Sequence, residues 1–316
     1  MNIGLREMAL KGIIIKKVSI VKKMYFYYLL LLPVIAYFIL FHYIPMYGVQ
    51  LAFKDYRILD GIAGSPWVGL KHFIRLFTGP FFGQILSNTL IISFYRIVFG
   101  FFAPIVFALL LNEITNIWLK RITQTISYLP YFISWVILGG IMIEMLSPSR
   151  GVVNYVITLF GGEPIYFLTE PKYFVSILII SGIWQSVGWS SIIYLAAISS
   201  IDAEQYDSAY IDGANRFHMM LYITLPSIKS IIIILFILGF GGVLSSGFDQ
   251  IFNLYNAAVL SVADVIDTYV YRVGLNDMQY SYSTAVGLFK NVVGFILVIL
   301  CNFIVKKISE DENGIW

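Results

Sequence analysis

Long runs of apolar residues alternate with shorter polar stretches along this chain. Because about 20 helical residues cross the hydrocarbon of a bilayer, six of these runs are long enough to span it. They lie at about 25–45, 84–111, 123–146, 174–199, 229–250 and 284–305. Several contain proline or glycine, which membrane helices tolerate because neighbouring helices satisfy the freed backbone groups. The pattern predicts an all-α membrane protein with six transmembrane helices over residues 25–305.

The polar segments between these runs predict the orientation. Residues 1–24 mix Lys and Arg with apolar residues too densely to span a bilayer, so we expect either a basic interfacial segment or a loose tail. Residues 306–316 are predicted to form a second tail. Twelve Lys and Arg fall on the side of the two termini and seven on the other. The positive-inside rule therefore places both termini, and the loop 202–230, in the cytoplasm.

Composition agrees with a bilayer as the solvent. Apolar residues make up 59% of the chain and charged residues 12%, roughly half of the ~25% typical of soluble domains. A net charge of +3 does not indicate the strongly basic surface that nucleic-acid binding requires. We expect membrane lipids to surround the chain. The single cysteine excludes a disulfide within the chain.

An enzyme is not predicted. The three histidines, His42, His72 and His218, are scattered without metal-ligand spacing. The chain has no glycine-rich phosphate loop with which to hydrolyse ATP. We therefore expect a transport subunit without a cofactor of its own.

The stretch 202–230, DAEQYDSAYIDGANRFHMMLYITLPSIKS, is too organised for a simple connector. A short helix is predicted over 204–211, with Asp202 as its cap. Gly213 can end that helix in a left-handed conformation, and a second helix is predicted from about 215 to 224. We name this helix–glycine–helix unit, residues 202–230, the elbow.

The elbow resembles the cytoplasmic EAA loop in inner-membrane subunits of binding-protein-dependent ABC importers. Asp207-Ser208-Ala209 stands at the E-A-A position, followed by Ile211-Asp212-Gly213-Ala214 and Ile223-Thr224-Leu225-Pro226. Asp207 and Ser208 depart from the usual Glu and Ala. Asp keeps the charge on a shorter side chain, so the docking geometry is expected to shift slightly.

Further motifs resemble the LplB-type branch of polysaccharide and oligosaccharide permeases, which is maltose-permease-like. In chain order they are Asn88-Thr89-Leu90, Ala108-Leu109-Leu110-Leu111-Asn112-Glu113, Tyr128-Leu129-Pro130-Tyr131-Phe132-Ile133-Ser134-Trp135, Gly247-Phe248-Asp249-Gln250 and Asp267-Thr268-Tyr269-Val270-Tyr271-Arg272. The resemblance covers nearly the whole chain.

The resemblance implies the six-helix type I ABC importer fold, with the elbow as its coupling helix, in a bacterial cytoplasmic membrane. It implies three kinds of protein partner: a second, homologous permease, two cytosolic ATPase subunits that hold ATP and Mg, and an extracytoplasmic solute-binding (lipo)protein. The substrate that it implies is an oligosaccharide. Residues expected to dock on the ATPase are Glu204, Asp207, Ser208, Ala209, Asp212, Gly213, Ala214, Phe217, Met219 and Met220. A self-sufficient secondary transporter or channel is the alternative.

Polar and aromatic residues within the spans are candidates for the sugar pathway, because rings stack on sugar faces and amides bond hydroxyls. They are Trp184, Gln185 and Trp189 on the fourth run, Ser245, Ser246, Asp249 and Asn253 on the fifth, and Lys290 and Asn291 on the sixth. Polar packing between helices is the alternative for each. Arg96 and Lys290 lie deep in their runs, where they can pair internally, snorkel or face a wet cavity.

Overall fold

The computed structural model describes residues 24–308 except 243 and 246. Residues 1–23 of the predicted interfacial segment, residues 309–316 of the predicted tail 306–316, and Ser246 therefore lie outside the described residues. The described elements are helical. The main helices are α1 Tyr25–Phe53, α2 Lys71–Thr78, α3 Phe82–Asn112, α4 Ile117–Phe132, α5 Trp135–Met145, α6 Val152–Leu159, α7 Pro171–Ser199, α8 Ala203–Ile211, α9 Arg216–Ser227, α10 Lys229–Gly241, α11 Phe248–Leu254, α12 Ile266–Tyr271 and α13 Tyr280–Ile308.

Four helices in the described part of the chain are individually long and apolar enough to cross a bilayer: α1, α3, α7 and α13. Two bent pairs also pass when each is taken as one span, which gives up to six. The pair α4 and α5 bends by 104°, and the pair α9 and α10 bends by 61°. The chain is therefore a multi-pass helical membrane protein.

Two of the predicted spans are not continuous helices. The run 123–146 turns sharply at Ile133 and Ser134, whose backbones are extended. The run 229–250 is helical only to Gly241, and helix resumes at Phe248. Gly247 just before it has φ +74°, a conformation that residues with a Cβ rarely adopt. Of the residues between Gly241 and Phe248, those that the structure describes (242, 244, 245 and 247) are not helical.

The centre of the bundle is formed by α7, which packs against both α3 and α4. Gly188 permits the contact with α4: a Cβ at this position would lie 2.2 Å from the carbonyl oxygen of Ser127. Such close approach of small residues is the usual way in which membrane helices associate. On the other side, α10 packs against α13, which also contacts α2 and the end of α1.

The bundle end opposite the elbow is fastened by polar side chains of α3. Asn88 donates to the carbonyl oxygens of Ser261 (3.0 Å) and Asp264 (3.1 Å). Thr89 Oγ1 accepts from the backbone N–H of Ile266 at 3.0 Å, and all of these groups except Ser261 are buried. Since buried polar groups require partners, the segment before α12 is held firmly onto α3. We call this the loop end of the bundle.

Candidate functional site

The first arm of the elbow is α8, and both of its ends are capped. The carboxylate of Asp202 accepts from the N–H of Glu204 at 3.1 Å. At the other end, Ala214 N–H donates to Ala209 O at 2.9 Å and Gly213 N–H donates to Tyr210 O at 3.1 Å. With Gly213 at φ +81°, this is a complete Schellman motif. The predicted Asp202 cap and left-handed Gly213 are confirmed.

The second arm, α9, begins at a further cap and is joined to the first. Asn215 Oδ1 accepts from the N–H of His218 at 2.8 Å. The hydroxyl of Tyr206, on α8, lies 2.8 Å from Oγ1 of the buried Thr224, on α9. This hydrogen bond closes the two arms on one another, so the elbow is a compact unit rather than a flexible loop.

The elbow is also anchored to the bundle. The Arg216 guanidinium donates to the carbonyl oxygen of Glu113, just beyond α3, at 3.3 Å, and lies 4.0 Å from its carboxylate. Met220 and Leu225 pack against an apolar cluster built by the same end of the bundle. Its buried members are Ile105, Ala108, Leu109, Tyr194, Ala197, Ile198 and Ile228. A displacement of the elbow therefore reaches α3, α7 and α10 directly.

The outer face of the elbow is exposed and partly apolar. Most of the predicted docking residues lie on it: Glu204, Asp207, Ser208, Asp212, Gly213 and Phe217 are exposed, and Ala209, Ala214 and Met219 are half-buried. Met220 instead turns inward, against the apolar cluster. The sequence reasoning missed Tyr210 (74% exposed), Ile211 (84%) and Tyr222 (74%). Their signal was large apolar residues inside a polar loop, a pattern typical of a protein-binding surface.

Three cavities lie within the bundle, and α3 lines two of them. The first, about 600 Å³, is lined by Ser245, Asp267 and Tyr271 among others. The second, about 250 Å³, is lined by Ser93, Arg96, Phe101, Phe236, Phe240 and Ser245. The third, about 500 Å³, is lined by Phe101, Pro104, Trp189 and Tyr194. The first and second cavities share the lining residue Ser245, and the second and third share Phe101, so the three lie next to one another as a series.

Some predicted pathway residues line this series and others do not. Ser245 and Trp189 do, and Trp189 stacks on Tyr131 with ring centroids 4.8 Å apart. Lys290 forms an ion pair with Asp267, which lines the first cavity. Trp184 lines a separate apolar cavity of about 420 Å³. Among the residues that the structure describes, Gln185, Asp249, Asn253 and Asn291 line none of the three cavities.

Arg96, halfway along α3, is the charged group of the second cavity. Its Nη2 donates to Oε1 of Gln250. The amide nitrogen of Gln250 in turn donates to Leu178 O and Ser181 Oγ, both at 2.8 Å, on α7. Sequence reasoning did not single out Gln250 as a partner, although it ends the motif Gly247-Phe248-Asp249-Gln250. In the described ranges, no three His, Cys, Asp or Glu side chains come together as a metal site.

Comparison with known proteins defines the class. Residues 97–310 match the family "Binding-protein-dependent transport system inner membrane component", and the chain belongs to this family. It is a permease subunit of an ABC importer, and the expected fold class and family are confirmed. Membership of this family excludes the alternative function, a self-sufficient secondary transporter or channel.

Individual relatives span almost the whole chain. The polygalacturonan/rhamnogalacturonan transport system permease YteP of Bacillus subtilis (strain 168) is 48% identical over 90% of this chain and 88% of the relative. The protein LplB of the same organism is 45% identical over 92% and 90%. A chain of a bacterial ABC transporter for the acidic polysaccharide alginate superposes with a TM-score of 0.86, at 41% identity, over 93% of this chain and all of that one. The alginate importer has also been solved with a pentasaccharide-bound periplasmic protein, with a TM-score of 0.85.

Proposed function

We propose that this chain and a second, homologous permease subunit form the pathway of an ATP-driven oligosaccharide importer. The relatives that handle polygalacturonan, rhamnogalacturonan and alginate support the substrate class. The solved complex of the alginate importer with its periplasmic protein supports delivery by a solute-binding protein. Both termini and the elbow lie in the cytoplasm, and two ATPase subunits there hold ATP and Mg.

The elbow couples ATP hydrolysis to transport. Its exposed face, with Asp207, Ile211 and Phe217, docks into a cleft on the ATPase, where buried apolar anchors supply most of the binding energy. When ATP closes the ATPase dimer, the elbow moves as one body because both of its arms are capped and joined. Its contacts with Glu113 and the apolar cluster carry the motion into the spans, and the pathway opens alternately to each side.

The single observation that carries this proposal is that the elbow is closed by internal hydrogen bonds and yet leaves an apolar face exposed. Tyr206 and Thr224 close the elbow, whereas Tyr210, Ile211 and Tyr222 are largely exposed. Burying Ile211 alone in a partner contributes about 1.5–3 kcal/mol. A loop that merely rested on lipid headgroups would not require the Schellman motif or the bond between its arms.

The test measures ATP hydrolysis stimulated by the binding protein, in vesicles that contain the complete importer. Ile211→Asp places a charge in the docking cleft, and we expect it to lower stimulated hydrolysis at least tenfold. Asp207→Arg is expected to act in the same direction. The matched control is Ile117→Asp, at a position that is 68% exposed at the same end of the bundle but outside the elbow. We expect the control to stay within twofold of the unmodified importer. Equal losses at both isoleucines, or unchanged hydrolysis in Ile211→Asp, would refute the docking assignment.

A further inference from the structure

We infer that Arg96 makes this importer selective for oligosaccharides that carry carboxylate groups, that is, for uronic acid sugars. The inference rests on the proposed function and names the chemical class of its substrate. Arg96 acts as a specificity residue of the second cavity, in which its guanidinium meets one sugar carboxylate at a time as the chain passes.

Arg96 has no anionic partner among the residues that the structure describes. The residue lies midway along α3, at the depth where a charge in a bilayer costs the most free energy. Among the described residues, no carboxylate lies within 4 Å of its guanidinium. Lys290, the other cation placed deep in a span, is paired with Asp267. An uncompensated cation at this depth is expected to have a functional role, and an anionic substrate supplies the missing charge.

The surroundings of Arg96 hold its guanidinium in place without using most of its donors. Gln250 orients it through one hydrogen bond, and Gln250 is fixed by its two bonds to α7. Gly247 provides the space, since a Cβ there would lie 2.3 Å from Nη1 of Arg96. A guanidinium has five N–H donors, of which the hydrogen bond to Gln250 uses one. Donors therefore remain for a carboxylate, which arginine binds in a planar, two-point fashion.

The rest of the cavity suits a sugar. Phe101, Phe236 and Phe240 present rings to it, and Ser245 presents a hydroxyl. The cavity also shares Ser245 with the first cavity and Phe101 with the third. An oligosaccharide that moves along the three cavities passes the one that Arg96 lines.

The test compares two substrates in vesicles that contain the complete importer. One is an oligogalacturonide, and the other is the same oligomer with its carboxyl groups reduced to alcohols. Each is supplied on saturated binding protein, so that the binding protein's own preference does not enter. We expect Arg96→Gln to lower the ratio of charged to reduced uptake at least tenfold and Arg96→Lys to lower it less. An unchanged ratio in Arg96→Gln would overturn the inference.

A second pair of variants tests the inference with Arg96 retained, in case Arg96→Gln does not fold. Ser245→Asp places a carboxylate at the cavity that holds the guanidinium, and Ser245→Asn has the same shape without the charge. We expect the aspartate variant to lower the uptake ratio about tenfold relative to the asparagine variant. Equal ratios in the two variants would overturn the inference. If the unmodified importer takes up neither oligomer although the binding protein binds both, the proposed function itself fails.

Discussion

Substitutions of Gly213, the left-handed glycine of the elbow, can distinguish two ways of weakening the docking on the ATPase. One is the free energy needed to hold a residue with a side chain in the left-handed conformation, and the other is direct contact between that side chain and the ATPase. Gly213 has φ +81°, and a Cβ built on it meets no atom within 4 Å. Gly213→Ala therefore creates no clash, and its cost is the ~1–2 kcal/mol that an L-residue needs to occupy the left-handed region. If the alanine elbow relaxes out of the left-handed conformation when free and must regain it on docking, this cost lowers the affinity between permease and ATPase by roughly 5- to 30-fold.

The assay is direct binding of the purified ATPase dimer to the permease pair in detergent, followed by stimulated ATP hydrolysis. Gly213→Asn is the matched control, because asparagine adopts the left-handed conformation more readily than alanine. We expect its affinity to stay within about threefold of the unmodified elbow. The reasoning is refuted if alanine binds as well as glycine, or if asparagine weakens binding as much as alanine. The second result would show that contact with the added side chain, rather than φ, controls docking.

Two further predictions concern the bundle. Gly188→Ala places a Cβ 2.2 Å from a backbone oxygen of α4. We therefore expect thermal unfolding to show a loss of about 1–3 kcal/mol in the free energy of unfolding. The control is Gly140→Ala, whose Cβ meets no atom within 4 Å and which should unfold as the unmodified protein does. Thr89→Val leaves the buried N–H of Ile266 without its acceptor, at a cost of about 1–3 kcal/mol, and we expect faster hydrogen exchange of that amide. Thr125→Val, which removes an exposed hydroxyl, should leave the exchange of the Ile266 amide unchanged. Equal effects of the two variants would contradict the assigned role of Thr89.

Local chemistry made the elbow predictable from sequence. Asp202 and Gly213 act within a few residues of their own positions, so cap and turn preferences identified both ends of α8. The breaks within the spans were not predictable in the same way. Membrane helices often contain glycine without unwinding, so the run 229–250 gave no sign that α10 ends at Gly241.

The polar centre of the bundle depended on distant contacts. Arg96 and Gln250 are 154 positions apart in the sequence. Gln250 and Leu178, its hydrogen-bond partner on α7, are 72 positions apart. No periodicity within one helix indicates such a pairing. Conversely, Gln185 and Trp189 lie four positions apart, and therefore on one face of α7, but of the two only Trp189 lines the series of cavities. Which residues of a face meet a cavity is decided by the neighbouring helices.

The two interruptions that border α10 give this helix the properties of a lever. It has 13 residues and is therefore about 20 Å long. One end meets α9 at a 61° bend, and at the other end the helix stops at Gly241, seven positions before α11 begins at Phe248. Tilting it by about 10° around the bend moves its far end by about 3–4 Å, beside the cavity of Arg96. Because Phe236, Gly239 and Phe240 of α10 line that cavity, a tilt of α10 would change the width of the cavity beside Arg96.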